Sequence, residues 1–418
     1  MNNDGNANNN NKYNELTAVP LAELIRADMD KQSRHLVPLG SVWDAYYDCV
    51  KNKRNTMNAM TFNLDLERNI RRLWREIDGG TYVIGRSIAF IVEHPVKREV
   101  FAADFRDRIV HHWICLRLLP LFEAYLSPRM FSNRVGKGTL AAVYNVATDI
   151  YAETEGYTRD AWIWKFDIRG FFMSIDKRLL NTKLQAFIDE RYEGADKPIL
   201  KRLTEQVVMH CPQNNCVRRS KPCAWDGLRA DKSLFNQDEW HGLAIGNLTS
   251  QLFANFFLFD MVRLIADHDF PRITQYVDDC VVVAPDLGAV KTFIPTLRAW
   301  LRDAMGLTLH PRKCYIQHYK KGVAFVGGII RPHLLYVSKR TVRRGLAKLH
   351  WMLRAGVHLT DPEGFLASVN SYLGLAQHFC AYKFRRRIAD TILAERSGLY
   401  AFTGGCYSMK ILKTQYHD

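Results

Sequence analysis

The stretch TQYVDDCVVVA (residues 274–284) sets two aspartates, Asp278 and Asp279, side by side between apolar runs that read as buried strands. Adjacent carboxylates repel, and burying them without partners is costly. On a flat strand, neighbouring side chains point to opposite faces, so both acids serve one site only where the chain turns. A strand–turn–strand hairpin, with the aspartates at its tip and ITQYV and CVVVA as arms, meets that condition. A divalent cation would relieve the repulsion, because hard ions such as Mg²⁺ take oxygen ligands and leave room for phosphates. The plainer alternative is a surface turn with two solvated acids, aspartate being favoured in turns.

A third carboxylate weighs against the plain turn. AWIWKFDI (161–168) alternates, with Trp162, Trp164 and Phe166 facing one way and Lys165 and Asp167 the other. Arg169-Gly170 then turns the chain. If this strand pairs beside the 272–284 hairpin, Asp167 and Asp278 meet at one edge, an arrangement able to hold two metal ions for phosphoryl transfer.

The rest of the chain fits a large, basic, globular protein. Its 418 residues carry 58 Lys and Arg against 43 Asp and Glu, a net charge of +15. Such a surplus points to a polyanion, nucleic acid first and an anionic membrane second. The nine cysteines lack paired spacing, which fits reduced thiols in a cytosol-like compartment. No secretory leader opens the sequence, and apolar stretches such as LFANFFLF (252–259) are too short to cross a bilayer. His210, Cys211, Cys216 and Cys223 lack the C-x2-C pairing of structural zinc sites.

The Asn-rich segment 1–15 is expected to be disordered. Leu66, Ile70, Leu73, Trp74 and Ile77 share a helical face that ends at Asp78-Gly79-Gly80. A strand-like stretch follows at 87–103, and residues 105–125 read as a helix. Asp176 is placed to cap a helix carrying Leu180, Leu184, Phe187 and Ile188. A polar, cysteine-bearing stretch at about 190–240 reads as an insertion, and a long helix spans about 248–267. The last ninety or so residues read as helical and basic, with Val342, Leu346, Leu349 and Leu353 in one stripe and Thr360 with Glu363 as a capping box.

FDIRGFF (166–172), GLAIGNLTSQLFANFFL (242–258) and QYVDDC (275–280) stand in the order and spacing of the reverse transcriptases, whose signature is the hairpin matched here by Tyr276-Val277-Asp278-Asp279. HPVKREVFAADFRDRIVHH (94–112) and FSNRVGKGT (131–139) resemble the fingers of that family. LTLHPRKCYI (307–316) resembles its lysine-bearing segment, and VAFVGGII (323–330) its primer grip. IGNLTSQ (245–251), DKSLF (231–235) and SYLGLAQH (371–378) are most similar to the enzymes of diversity-generating retroelements. Retron and phage-defence enzymes, or an RNA-binding ribonucleoprotein scaffold with a polymerase shell, are the alternatives.

The resemblance implies an α/β (α+β) right-hand polymerase: fingers with an N-terminal extension over 16–160, an antiparallel palm sheet over 161–330, and a helical thumb and tail over 331–418. It implies an RNA-templated DNA polymerase with two Mg²⁺ ions, Mn²⁺ as a substitute, held by Asp167, Asp278, Asp279 and the Ile168 backbone carbonyl. Lys313 matches the lysine that protonates leaving pyrophosphate. Arg98, with Lys97 and Arg134 as weaker candidates, would grip the incoming deoxynucleoside triphosphate, and Lys137 lies between glycines that permit close approach. Phe172 would be the gate against a ribose 2′-hydroxyl, with Phe171 able to exchange roles with it. Gly246 and Gln251 would border the nucleotide. Ile245 stands where many relatives carry glutamine, which implies misincorporation at template adenines. The implied partners are a template RNA, primer or cDNA and a small basic accessory protein, without a membrane, in the cytoplasm of a bacterium or from a phage.

Overall fold

The computed structural model describes residues 35–51, 56–94, 96–395 and 398–412. The Asn-rich segment 1–15 and the opening of the expected 16–160 region lie outside these residues. At the centre is a four-stranded antiparallel sheet in the order β5-β6-β3-β7. Its strands are β3 (Trp162–Asp167), β5 (Ile273–Tyr276), β6 (Asp279–Ala284) and β7 (Tyr315–His318). The alternation of β3 is used on both faces. Trp164 and Phe166, with Cys280, Val282 and Ala284 from β6, enter one core, while Ile163, Val281 and Val283 enter another. Trp164 and Phe166 are both fully buried, each contributing roughly 2–3 kcal/mol of burial.

The first core is closed by the helices Phe105–Tyr125, Lys177–Arg191, Lys197–Met209, Leu248–Asp267 and Leu287–Met305. Leu248–Asp267 is long and apolar enough, by length and composition, to cross a membrane, which corrects the reading of its apolar stretch as too short. Two thirds of its most apolar window is buried inside the protein, where it packs on Phe105–Tyr125 and β5. The second core joins the helix Thr139–Glu153 to the C-terminal helices Lys339–Arg354, Pro362–Ala376 and Tyr382–Leu393. Between them lies the small sheet of β8 (Val323–Phe325), β9 (Gly328–Arg331) and β10 (Leu334–Val337). Leu346, Leu349 and Leu353 are buried as their stripe predicts.

Three local expectations change. The 87–103 stretch is an antiparallel hairpin, β1 (Ser87–Val92) and β2 (Arg98–Ala102), broken around residues 93–97. Asp361, not Thr360, caps Pro362–Ala376: its carboxylate accepts from the Gly364 N–H at 2.9 Å, while the Thr360 hydroxyl bonds back to Gly356. The 190–240 segment is not set apart from the fold. Its helix Lys197–Met209 buries Ile199, Leu200 and Leu203, and its strand β4 (Cys216–Arg218) pairs in parallel with β1.

Candidate active site

The tip of the β5–β6 hairpin is held in a strained turn. Val277 has φ 57°, a left-handed conformation rare for a β-branched residue. Fixed partners surround it. The Gln275 amide donates to the Val277 carbonyl at 2.5 Å, and the Val277 N–H donates to Ser132 Oγ at 3.2 Å. Ser132 in turn donates to the Asn255 side chain at 2.6 Å, tying the tip to Leu248–Asp267. The turn breaks the strand alternation, so Asp278 and Asp279 both face the end of β3.

There the register sets Asp167 directly opposite Asp279. The Ile168 N–H donates to the Asp278 carbonyl at 3.2 Å, and Ile168 bridges Leu309 on its other side. In an antiparallel pair the N–H and carbonyl of one residue point to the same side, so the Ile168 carbonyl also faces the hairpin. Burial, then the neighbouring Asp167 and Asp279 charges, push the Asp278 carboxyl up to about 6. Burial also raises Asp279, against the pull of Lys165.

Two lysines offset part of this charge. Lys313 Nζ lies 2.7 Å from Asp167 Oδ2, and Lys165 Nζ lies 3.0 Å from Asp279 Oδ2 and 2.7 Å from the Ala324 carbonyl. Three carboxylates against two ammonium groups leave the cluster acidic. Asp279 Oδ1 is buried and has no hydrogen-bond partner among the described residues. No three His, Cys, Asp or Glu side chains among the described residues stand close enough to enclose an ion by themselves. The donor chemistry nevertheless fits a hard divalent cation: oxygen ligands only, excess negative charge and an orphaned carboxylate oxygen.

The other predicted residues divide. Arg98 is exposed at the start of β2, and its guanidinium pairs with no described side chain. Lys97 is committed to the Asp226 carbonyl at 2.7 Å and lies near Glu93. Arg134 is not presented to the cleft: it is 5% exposed and clamps Glu123 and the Ser127 carbonyl, fixing the loop after Phe105–Tyr125. Lys137 bonds the Pro128 carbonyl and lies over the Phe131 ring. Phe171 is buried in the first core, whereas Phe172 is half-buried between that core and a small cluster containing Phe101 and Ile245.

Gly246 has φ 121°, and a Cβ there would lie 2.7 Å from Val100 Cγ1 and 3.2 Å from the Phe101 carbonyl. Its smallness is therefore required by β2, whose Phe101 N–H donates to the Ile245 carbonyl. Gln251 is half-buried on the first turn of Leu248–Asp267. His210 and Cys211 belong to a latch on Lys177. That fully buried ammonium bonds the His210 and Glu239 carbonyls and Cys211 Sγ.

Residues 98–330 match the family model described as reverse transcriptase (RNA-dependent DNA polymerase). The chain belongs to the reverse transcriptase family. Its mixed helices and antiparallel sheets form the right-hand polymerase fold of that family. No curated protein matches the chain. Among solved structures it is similar to telomerase from Candida albicans in complex with a TWJ fragment of telomeric RNA, at 12% identity and TM-score 0.43, covering 74% of this chain and 54% of that one. It is also similar to telomerase from Candida tropicalis with a TWJ fragment, at 11% identity and TM-score 0.46, covering 76% of this chain and 56% of that one. The reverse transcriptase chain thus spans little more than half the length of these telomerases.

Several residues that hold the reverse transcriptase site together escape motif reading. Lys165 shows only as the polar member of an alternating strand. Gln275 is fully buried beside the aspartates, and Ser132 and Asn255, from distant parts of the chain, bond each other beneath the Val277 N–H. Glu99 is 1% exposed and accepts from Trp225 Nε1 at 2.6 Å, Ser233 Oγ at 2.7 Å and the Leu234 N–H at 2.5 Å. The one available signal was an acid leading into the apolar run EVFA (99–102).

Proposed function

We propose that this chain is the error-prone RNA-templated DNA polymerase of a diversity-generating retroelement. The observation that carries the polymerase reading is the register of Asp167 against Asp279 at the tip of a strained hairpin, within a chain of the reverse transcriptase family. A primer 3′-hydroxyl attacks the α-phosphate of a deoxynucleoside triphosphate, forming the phosphodiester and releasing pyrophosphate. Mg²⁺ held by Asp167, Asp278, Asp279 and the Ile168 carbonyl would supply charge stabilisation and a more acidic hydroxyl. Lys313, on the Asp167 carboxylate, stands ready to give its proton to the leaving pyrophosphate. Lys165 offsets part of the burial that raises Asp279 and ties it to the β8–β9 hairpin.

Arg98 is free to meet the triphosphate tail. Phe172, half-exposed beside Ile245, gates the sugar. The apolar Ile245 in that same cluster supports loss of fidelity, since it offers the nascent pair no polar contact. In this reading residues 16–160 contain the fingers, 161–330 the palm and 331–418 the thumb. The template is a structured RNA, a small basic protein assists, and the enzyme works in the cytoplasm of a bacterium.

The test uses the full chain with a primed RNA, the four deoxynucleotides and Mg²⁺, followed by sequencing of the cDNA. Expected are extension that is lost in Asp278→Asn, and substitutions concentrated opposite template adenines. Extension with errors spread evenly over the four bases would remove the retroelement assignment. No extension with any primed RNA, alone or with the accessory protein, would remove the polymerase assignment.

A further inference from the structure

Beside Asp167, on the flank opposite the hairpin, lies a cavity of about 350 Å³ lined by Arg169, Arg229, His310, Pro311 and Arg312. Its walls come from three places in the chain. The 308–310 segment runs along the end of β3, with the His310 N–H donating to the Asp167 carbonyl at 2.7 Å and the Arg169 N–H to the Thr308 carbonyl at 2.8 Å. The 229–231 segment closes over Gly170, where a Cβ would stand 2.8 Å from the Asp231 carbonyl and φ is +57°. The cavity is therefore built around the catalytic strand by the region that sequence patterning reads as an insertion.

Its charge is unbalanced. Arg169 Nε bonds Asp231 Oδ2 at 2.9 Å, and Arg229 bonds the same oxygen. One carboxylate thus serves two guanidinium groups, each about half exposed. Arg312 adds a third, exposed and paired with no described side chain. His310 Nδ1 accepts from the Arg312 N–H at 3.2 Å, so its Nε2 carries the proton and is a donor. Guanidinium groups converging on one small volume suit a compact anion with several oxygens, through paired donors. A duplex would instead need cations strung along an edge.

We propose that this cavity binds a small polyphosphate anion beside the Asp167 site, with Arg169, Arg229 and Arg312 as its ligands and Asp231 as the internal anion it competes with. This deepens the polymerase reading and rests on it for its source: pyrophosphate on its way out, or the tail of an incoming triphosphate. Neither Arg229 nor Arg312 lies in the matched signature motifs of the aspartates, and Arg229 comes from the 190–240 segment.

The test is calorimetric titration of the full chain, free of nucleic acid, with inorganic pyrophosphate, alongside the deoxynucleotide KM in primer extension. Arg229→Ala with Arg312→Ala should weaken pyrophosphate at least tenfold, and Asp231→Asn should tighten it several-fold. The exposed Arg302→Ala, outside the cavity, should leave it within twofold. A loss of pyrophosphate affinity at constant KM assigns the site to the product. A parallel rise in KM assigns it to the triphosphate tail. Pyrophosphate affinity unchanged in the double variant overturns the proposal, as does a variant that loses only primer–template binding. Calorimetry needs no turnover, so a chain that binds pyrophosphate through these arginines yet extends no primer would sink the polymerase reading alone.

Discussion

Asp278 pits function against stability. Its carboxyl is raised from the ordinary 3.8 to about 6 by burial and by Asp167 and Asp279. Between those values the folded protein binds more protons than the unfolded chain, so in metal-free buffer its stability falls as pH rises through that window. The shift corresponds to about 3 kcal/mol at pH 7, to order of magnitude. Asp278→Asn removes the charge, so it should be inactive yet more stable than the parent at pH 7.5 in EDTA, by up to that amount. The advantage should shrink toward zero near pH 4. Urea melts across pH check this, and a gap that does not change with pH would contradict it. Lys165 has the converse role. Lys165→Met keeps the aliphatic stem but leaves Asp279 buried against two other acids and frees the Ala324 carbonyl. A loss of about 2 kcal/mol in denaturation is expected, since removing one partner strands the other's charge. Lys165→Arg should recover part of it.

At the scale of elements, the 190–240 segment is locked to the β1–β2 hairpin through Glu99. Three donors from that segment, Trp225 Nε1, Ser233 Oγ and the Leu234 N–H, converge on one buried carboxylate in β2. Glu99→Ala strands all three, at a cost of about 3 kcal/mol. The segment should loosen before the core does. Limited trypsin digestion should then cut after Arg218, Arg219 or Arg229 at least tenfold faster than in the parent, while the helix Leu248–Asp267 stays protected. Equal cutting rates would mean that the segment's other attachments hold it without Glu99. This is also where the sequence was least legible. The helices over 105–125 and 248–267 and the hairpin at 278–279 were readable because apolar period and turn chemistry act locally. Glu99, Arg134 and Gly246 were not, because partners far along the chain decide their roles. Gly246 is small for Val100 and Phe101, and Arg134 is spent on Glu123. The cap at Asp361 was missed by one residue because Thr360 offers the same chemistry.

The whole molecule divides along its central sheet. The core on one face ties the aspartates to the helices before and after them, and the core on the other ties β6 to the C-terminal helices through Thr139–Glu153. Gly328 in β9 marks that junction, since a Cβ there would sit 3.0 Å from Val143 and 3.1 Å from Phe379. Between Lys339–Arg354 and Tyr382–Leu393 runs an open groove of about 470 Å³ lined by Lys339, Arg343, His350 and Arg387 over an apolar floor of Val342 and Leu346. A net charge of +15 suits binding of a polyanion, and the groove gathers Lys339, Arg343, His350 and Arg387 from two helices. Binding of that kind releases counterions and reads no sequence. Lys339→Ala, Arg343→Ala and Arg387→Ala together should therefore weaken primer–template binding equally for unrelated sequences. They should also flatten the plot of log affinity against log salt by roughly 0.9 for each phosphate no longer neutralised, so by about 2–3 in all. Fluorescence anisotropy over a KCl series measures both. Pyrophosphate affinity should not change with these substitutions, because the groove and the arginine cavity beside Asp167 share no residue. A salt slope equal to the parent's would place the nucleic-acid track on another face of the molecule.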